Sequence, residues 1–154
     1  MALLRLIALL ALAGPSCSGR AGAQPAPTTA VSGVKPPAGW IALPSIATRV
    51  GVPGAEAWGD TARGCYAVWF RIQGAGATAD AVLAGLAAEQ LTTSNLVKPD
   101  GDGIVAASFT KGTYTGRLRA RIADGALTAL ACFANQREPK SCDTPCTTVL
   151  GALP

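Results

Sequence analysis

The alternation of apolar and polar positions is clearest between residues 104 and 135. Ile104 to Thr110 reads as a strand, and Lys111-Gly112 as a two-residue connection compatible with a hairpin. From Thr113 to Ala123 the pattern has period two. Leu118, Ala120 and Ile122 fall on one side and Arg117, Arg119 and Arg121 on the other. Asp124-Gly125 is a strong hairpin signal, because both central residues of a type I′ turn need positive φ. Ala126 to Asn135 is apolar at nearly every position, which predicts a strand covered on both faces. Gln136 to Lys140 reverses the chain into a final helix. Ser141 or Asp143 can cap that helix, and Pro145 is tolerated in its first turn. Cys142, Cys146, Val149, Leu150 and Leu153 share its stripe.

Upstream the pattern is thinner. Cys65 to Gln73 is rich in aromatic and β-branched residues, with Tyr66, Val68, Phe70 and Ile72 as the expected core face. Thr78 is an N-cap for a helix reaching about Gln90, with Asp80 in its first turn and Val82, Leu83, Leu86 and Ala87 as its buried stripe. Trp40 to Leu43 is strand-like and ends at Pro44. Thr48 to Val52 alternates weakly, and Glu56 to Gly64 reads as a loop carrying Trp58 and Asp60. Asn95 and Pro99 mark another loop, reaching Asp100-Gly101-Asp102-Gly103. The class expected is α+β: an antiparallel sheet ending in a three-strand meander, with one mid-chain and one C-terminal helix packed on one side of it.

Composition narrows the function classes. Apolar residues make up 49% of the 154 residues but aromatics only 5%, so one modest core is expected, over residues 39–154. The net charge of +4 includes Arg5 and Arg20, both outside that domain, and there is no Lys/Arg run, which argues against nucleic acid as a partner. Histidine is absent, which removes Ser-His-Asp and Cys-His nucleophilic sites and His metal ligation. No cofactor or metal is expected.

Leu3 to Ala13 is almost wholly apolar, Arg5 near its start giving a weak positive n-region, and it is too short for the roughly 20 residues of a membrane span. It reads as a signal peptide, and two processing sites compete. Gly14-Pro15-Ser16-Cys17 resembles a bacterial lipobox, giving a signal peptide of residues 1–16 and a lipidated Cys17 as membrane anchor. Ala21-Gly22-Ala23 is an A-x-A site, giving residues 1–23 and a free Gln24. The first is preferred because Cys17 follows the apolar run so closely. Residues 17–38, rich in Pro, Gly, Ala and Thr, then form a disordered tether. With Cys17 set aside, Cys65, Cys132, Cys142 and Cys146 make an even set, which in an exported chain implies two disulfides. Each should stabilise by roughly 2–4 kcal/mol. Cys132–Cys142 with Cys65–Cys146 is the preferred pairing of three.

Candidate chemistry is sparse. Cys142-x-x-x-Cys146 is one residue longer than a redox Cys-x-x-Cys, so structural bonds are favoured over thiol chemistry or zinc. Asp100 and Asp102 lack the further acids of a calcium loop and read as a turn. Arg117, Arg119 and Arg121 put three guanidiniums on one strand face, a candidate receiver for an anionic ligand, against the alternative of a solvated face. Trp58 is a candidate binding-loop anchor, against the alternative of a cover for the core.

The order of elements carries a resemblance: Gly39-Trp40 after a Pro-rich lead, the strand Cys65 to Gln73, the helix Thr78 to Gln90, the meander, and a last helix ending Val149-Leu150-Gly151-Ala152-Leu153. Over residues 39 to 153 this layout resembles the PsbP-like domains of small exported proteins and envelope lipoproteins, the DcrB-like group among them. The resemblance implies a ligand- or protein-binding module rather than an enzyme, with no shared catalytic set to carry over. The expectation is a non-enzymatic lipoprotein of the bacterial cell envelope, membrane-anchored on the periplasmic or outer side, meeting an envelope protein or an anionic ligand. The alternative is a soluble periplasmic or secreted inhibitor or binding factor cleaved after Ala23.

Overall fold

The computed structural model describes residues 32–74, 76–135 and 139–153. Seven strands form one antiparallel sheet: β1 (Ile41–Ala42), β2 (Glu56–Asp60), β3 (Cys65–Gln73), β4 (Thr92–Val97), β5 (Gly103–Lys111), β6 (Tyr114–Ala123) and β7 (Ala126–Asn135). Their order is β1-β2-β3-β7-β6-β5-β4. Among the described residues three helices accompany them: α1 (Pro44–Val50), α2 (Ala79–Ala88) and α3 (Asp143–Gly151), the last entered through a short 3-10 turn, Pro139–Cys142. The α+β class, the closing meander and two disulfides are as the sequence predicts.

β7 joins the halves of the sheet, pairing along its full length with β3 on one side and β6 on the other. Its apolar continuity is explained by two separate cores. Leu127 and Ala129 point into the larger one, with Val68 and Phe70 of β3, Val105 and Phe109 of β5, and Val82 and Leu86 of α2. Leu130, Cys132 and Ala134 point the other way, under Val149, Leu150 and Leu153. The helices therefore cover opposite faces rather than one. The reason is the two-residue period of β7: its cysteine cannot share a face with Leu127 and Ala129, and the cysteines draw α3 to the other side.

The disulfides are Cys65–Cys142 and Cys132–Cys146, with Cα separations of 5.6 and 5.4 Å. The expected pairing is thus exchanged. Cys65 lies opposite Ala134, and Cys132 opposite Ala67, one step further down the sheet. After the reversal, α3 runs back along β7. Its first cysteine meets the level of Ala134, and hence Cys65. Its second, one turn on, meets Cys132. The pairing read from sequence needs the helix to run the opposite way.

Three segments read as loop or strand take other forms. Pro44 not only follows the end of β1 but opens α1, where a missing N–H costs nothing, and Gly51 at φ 71° closes that helix. The weak alternation of Thr48 to Val52 therefore does not become a strand. Glu56 to Asp60 is β2, and Thr92 to Val97 is the edge strand β4, exposed at every position and bulged between Ser94 and Val97. At the first hairpin the turn residues are Gly112 and Thr113, since Lys111 pairs with Tyr114. Asp124 and Gly125 take φ of 53° and 66°, as the type I′ turn requires. The Thr78 cap is present, its hydroxyl accepting from Ala81 N–H at 3.1 Å. Neither Ser141 nor Asp143 caps α3; Cys142 holds that place without a side-chain bond.

Candidate functional site, an arginine face on the open half of the sheet

α3 covers one face of the sheet only over β3 and β7. Ser32 and Val34, before β1, dock beside it: Ser32 donates from its N–H and hydroxyl to the Glu56 carboxylate at 2.8 and 2.7 Å, and Val34 is buried in the α3 core. The same face over β6, β5 and β4 carries no helix, so its pattern differs. The inward residues Leu118, Ala120 and Ile122 fill the larger core, while Arg117, Arg119 and Arg121 alternate with them onto the open side.

The cross-strand registers define that surface. Arg117 lies between Ser108 and Cys132, Arg119 between Ala106 and Leu130, and Arg121 between Ile104 and Thr128. Thr128 in turn pairs with Arg71 of β3, so the structure adds a fourth guanidinium. Strand geometry sets the arginines of β6 about 6.6 Å apart along the chain, and puts Arg71 about 10 Å from Arg121, across β7. The hydroxyls of Ser94, Ser108 and Thr110 extend the same face toward the β4 edge. Arg71, Arg117 and Arg121 are exposed, and Arg119 is half-buried.

The charges on this face are not neutralised locally. Among the described residues, the ion pairs are Arg63–Asp60, Lys98–Asp80 and Lys111–Glu89, all elsewhere. Arg117 leans on α3, donating to the Thr147 hydroxyl at 3.0 Å and the Asp143 carbonyl at 3.4 Å. Both acceptors are uncharged, so Arg117 is oriented without losing its charge. At the far end Asp102 accepts the Asp124 N–H at 3.3 Å, which gives it a turn-holding role.

The other sequence candidates lie elsewhere. Trp58 is not a loop residue: it belongs to β2, is buried under α3 and packs in the core containing Trp69 and Cys65. The indole N–H of Trp69 is buried there without a hydrogen-bond partner among the described residues. Cys17 lies outside the described residues. On the opposite face, burial raises the Tyr66 phenol pKa, and its neighbour Tyr114 adds to the shift. Tyr66 stacks on Phe133 with ring centroids 5.4 Å apart.

Arg71 escaped the sequence reading because nothing near it in the chain is basic; only the insertion of β7 beside β3 brings it to Arg121. What the arrangement offers is a row of cations, Arg117 among them held by α3, beside hydroxyl groups. No family model, curated protein or solved structure matches this chain.

Proposed function

We propose that the protein is an exported, lipid-anchored binding module of the cell envelope, not an enzyme, and that its working surface is the arginine face, which takes an anionic ligand. The observation that carries this reading is the placement of Arg117, Arg119 and Arg121 on the uncovered half of one sheet face, with Arg71 on the same face across β7, and with no ion-pair partner among the described residues. Guanidiniums held on a rigid sheet suit carboxylate, sulfate or phosphate oxygens. The two disulfides fit an oxidising compartment outside the cytosol. The apolar run ending just before Cys17 supports a signal peptide and lipid anchor. The element order supports kinship with PsbP-like envelope modules.

Two measurements test the reading. Mass spectrometry of the mature protein should find a diacylglyceryl group on Cys17. A free N-terminus at Gln24 replaces the anchored protein with a soluble periplasmic or secreted factor. Amide NMR of the mature protein titrated with sulfate and citrate should move resonances of β5 and β6, and the triple variant Arg117→Gln, Arg119→Gln, Arg121→Gln should abolish those shifts. Shifts confined to another surface, or none, sink the arginine face as the site.

A further inference from the structure

Building on that reading, we infer that the ligand of the arginine face is a linear acidic polysaccharide lying along β6, its carboxylates or sulfates on Arg117, Arg119 and Arg121. The shape of the face selects an elongated occupant. α3, about 10–12 Å across with its side chains, stands beside the open strands as a wall. Thr147 of that wall is tied to Arg117 at 3.0 Å. The floor is three strands wide, so the arginines stand in line at a regular spacing of about 6.6 Å instead of converging on one point. A compact anion meets one of them at a time; a chain with repeated negative charges meets all three.

The chemistry of the floor separates the classes of polyanion. A nucleic acid strand needs aromatic rings for its bases. The residues that β4, β5 and β6 turn to this face, from Ser94 through Ser108 to Arg121, include no aromatic ring. A peptide that binds as an added strand needs main-chain partners. The interior strands β5 and β6 spend theirs on both neighbours. A flat anionic bilayer is held off the floor by α3, which stands beside it. A sugar chain needs neither rings nor free main-chain groups, and it is narrow enough to lie beside α3 rather than across it. Its hydroxyls match Ser94, Ser108 and Thr110, and its acid groups match the guanidiniums.

The test is calorimetric titration of the mature protein with oligogalacturonates and heparin oligosaccharides of increasing length. Parallel arms use monomeric galacturonate, phosphatidylglycerol vesicles, oligoglutamate and oligothymidylate. Affinity should climb with oligosaccharide length until the chain spans Arg117 to Arg121. The carboxylate and sulfate arms tell which acid is preferred. Arg121→Gln should weaken binding about two- to five-fold, and the triple glutamine variant roughly ten- to hundred-fold. Arg49→Gln, on α1 across the sheet, should change nothing; thermal melting checks that each variant is folded. Length-independent binding overturns the linear chain and leaves the anionic face standing. So does tighter binding to vesicles, oligoglutamate or oligothymidylate. Oligosaccharide binding that the triple variant leaves intact overturns both.

Discussion

Removing the two disulfides one at a time should have unequal costs. Cys65–Cys142 closes a loop with a sequence separation of 77, and Cys132–Cys146 one of 14. In the chain-entropy description these restrain the unfolded chain by about 4.5 and about 3 kcal/mol respectively. All four half-cystines are buried in the same core, at 0–5% exposure, so replacing either pair by alanine removes similar packing. Cutting one bond also leaves the loop of the other nearly unchanged in length. The difference between the two double variants is therefore set by loop length, at about 1.5 kcal/mol. With a urea m-value of about 1–3 kcal/mol/M, Cys65→Ala/Cys142→Ala should unfold roughly 0.5–1.5 M earlier than Cys132→Ala/Cys146→Ala. Proteolytic mapping under non-reducing conditions should recover the same two linkages. An inverted order of urea midpoints refutes the loop-length reasoning, and a Cys132–Cys142 peptide refutes the antiparallel return of α3.

Three further outcomes follow from local geometry. Gly116→Ala puts a methyl 2.5 Å from Phe109 Cζ and 2.7 Å from the Cys132 carbonyl, so it should cost about 1–3 kcal/mol in denaturant unfolding. Thr78→Ala removes the cap bond to Ala81 and should cost about 1 kcal/mol in the same assay, with the fold retained. The raised Tyr66 pKa contributes stability that is fully present below about pH 10 and is lost as pH rises through the folded-state value. The urea midpoint should therefore fall on going to strongly alkaline pH, tyrosinate absorbance should show a late-ionising phenol, and Tyr66→Phe should remove that phenol and flatten the fall.

Legibility followed the strength of the local pattern. β5, β6 and β7 were readable because their side chains alternate or stay apolar, and the Asp124-Gly125 turn because its backbone demands few residue types. β2 was hidden because Ala57 and Gly59 leave no contrast in size. Gly59 must be small: a Cβ there would lie 2.7 Å from the Cys65 carbonyl. β4 was hidden because a strand exposed on both faces has no reason to alternate. α1 spans 7 residues, less than the pattern needs to declare a period. The cysteine set was legible but its pairing was not, because the direction of α3 over the sheet is a tertiary fact. Of the candidate site, the three arginines of β6 could be placed on one face from spacing alone, whereas Arg71 needed the strand order.

The position of β7 has a consequence for how the molecule comes into being. β1, β2 and β3 form one piece and β4, β5 and β6 another, and among the described residues the strand that joins them is the last one made. Until residues 126–135 arrive, each piece has an open edge, and Cys65 still waits on Cys142 beyond them. A growing chain therefore cannot complete its sheet until its final fifth is available, and the bond between Cys65 and Cys142 can form only after that.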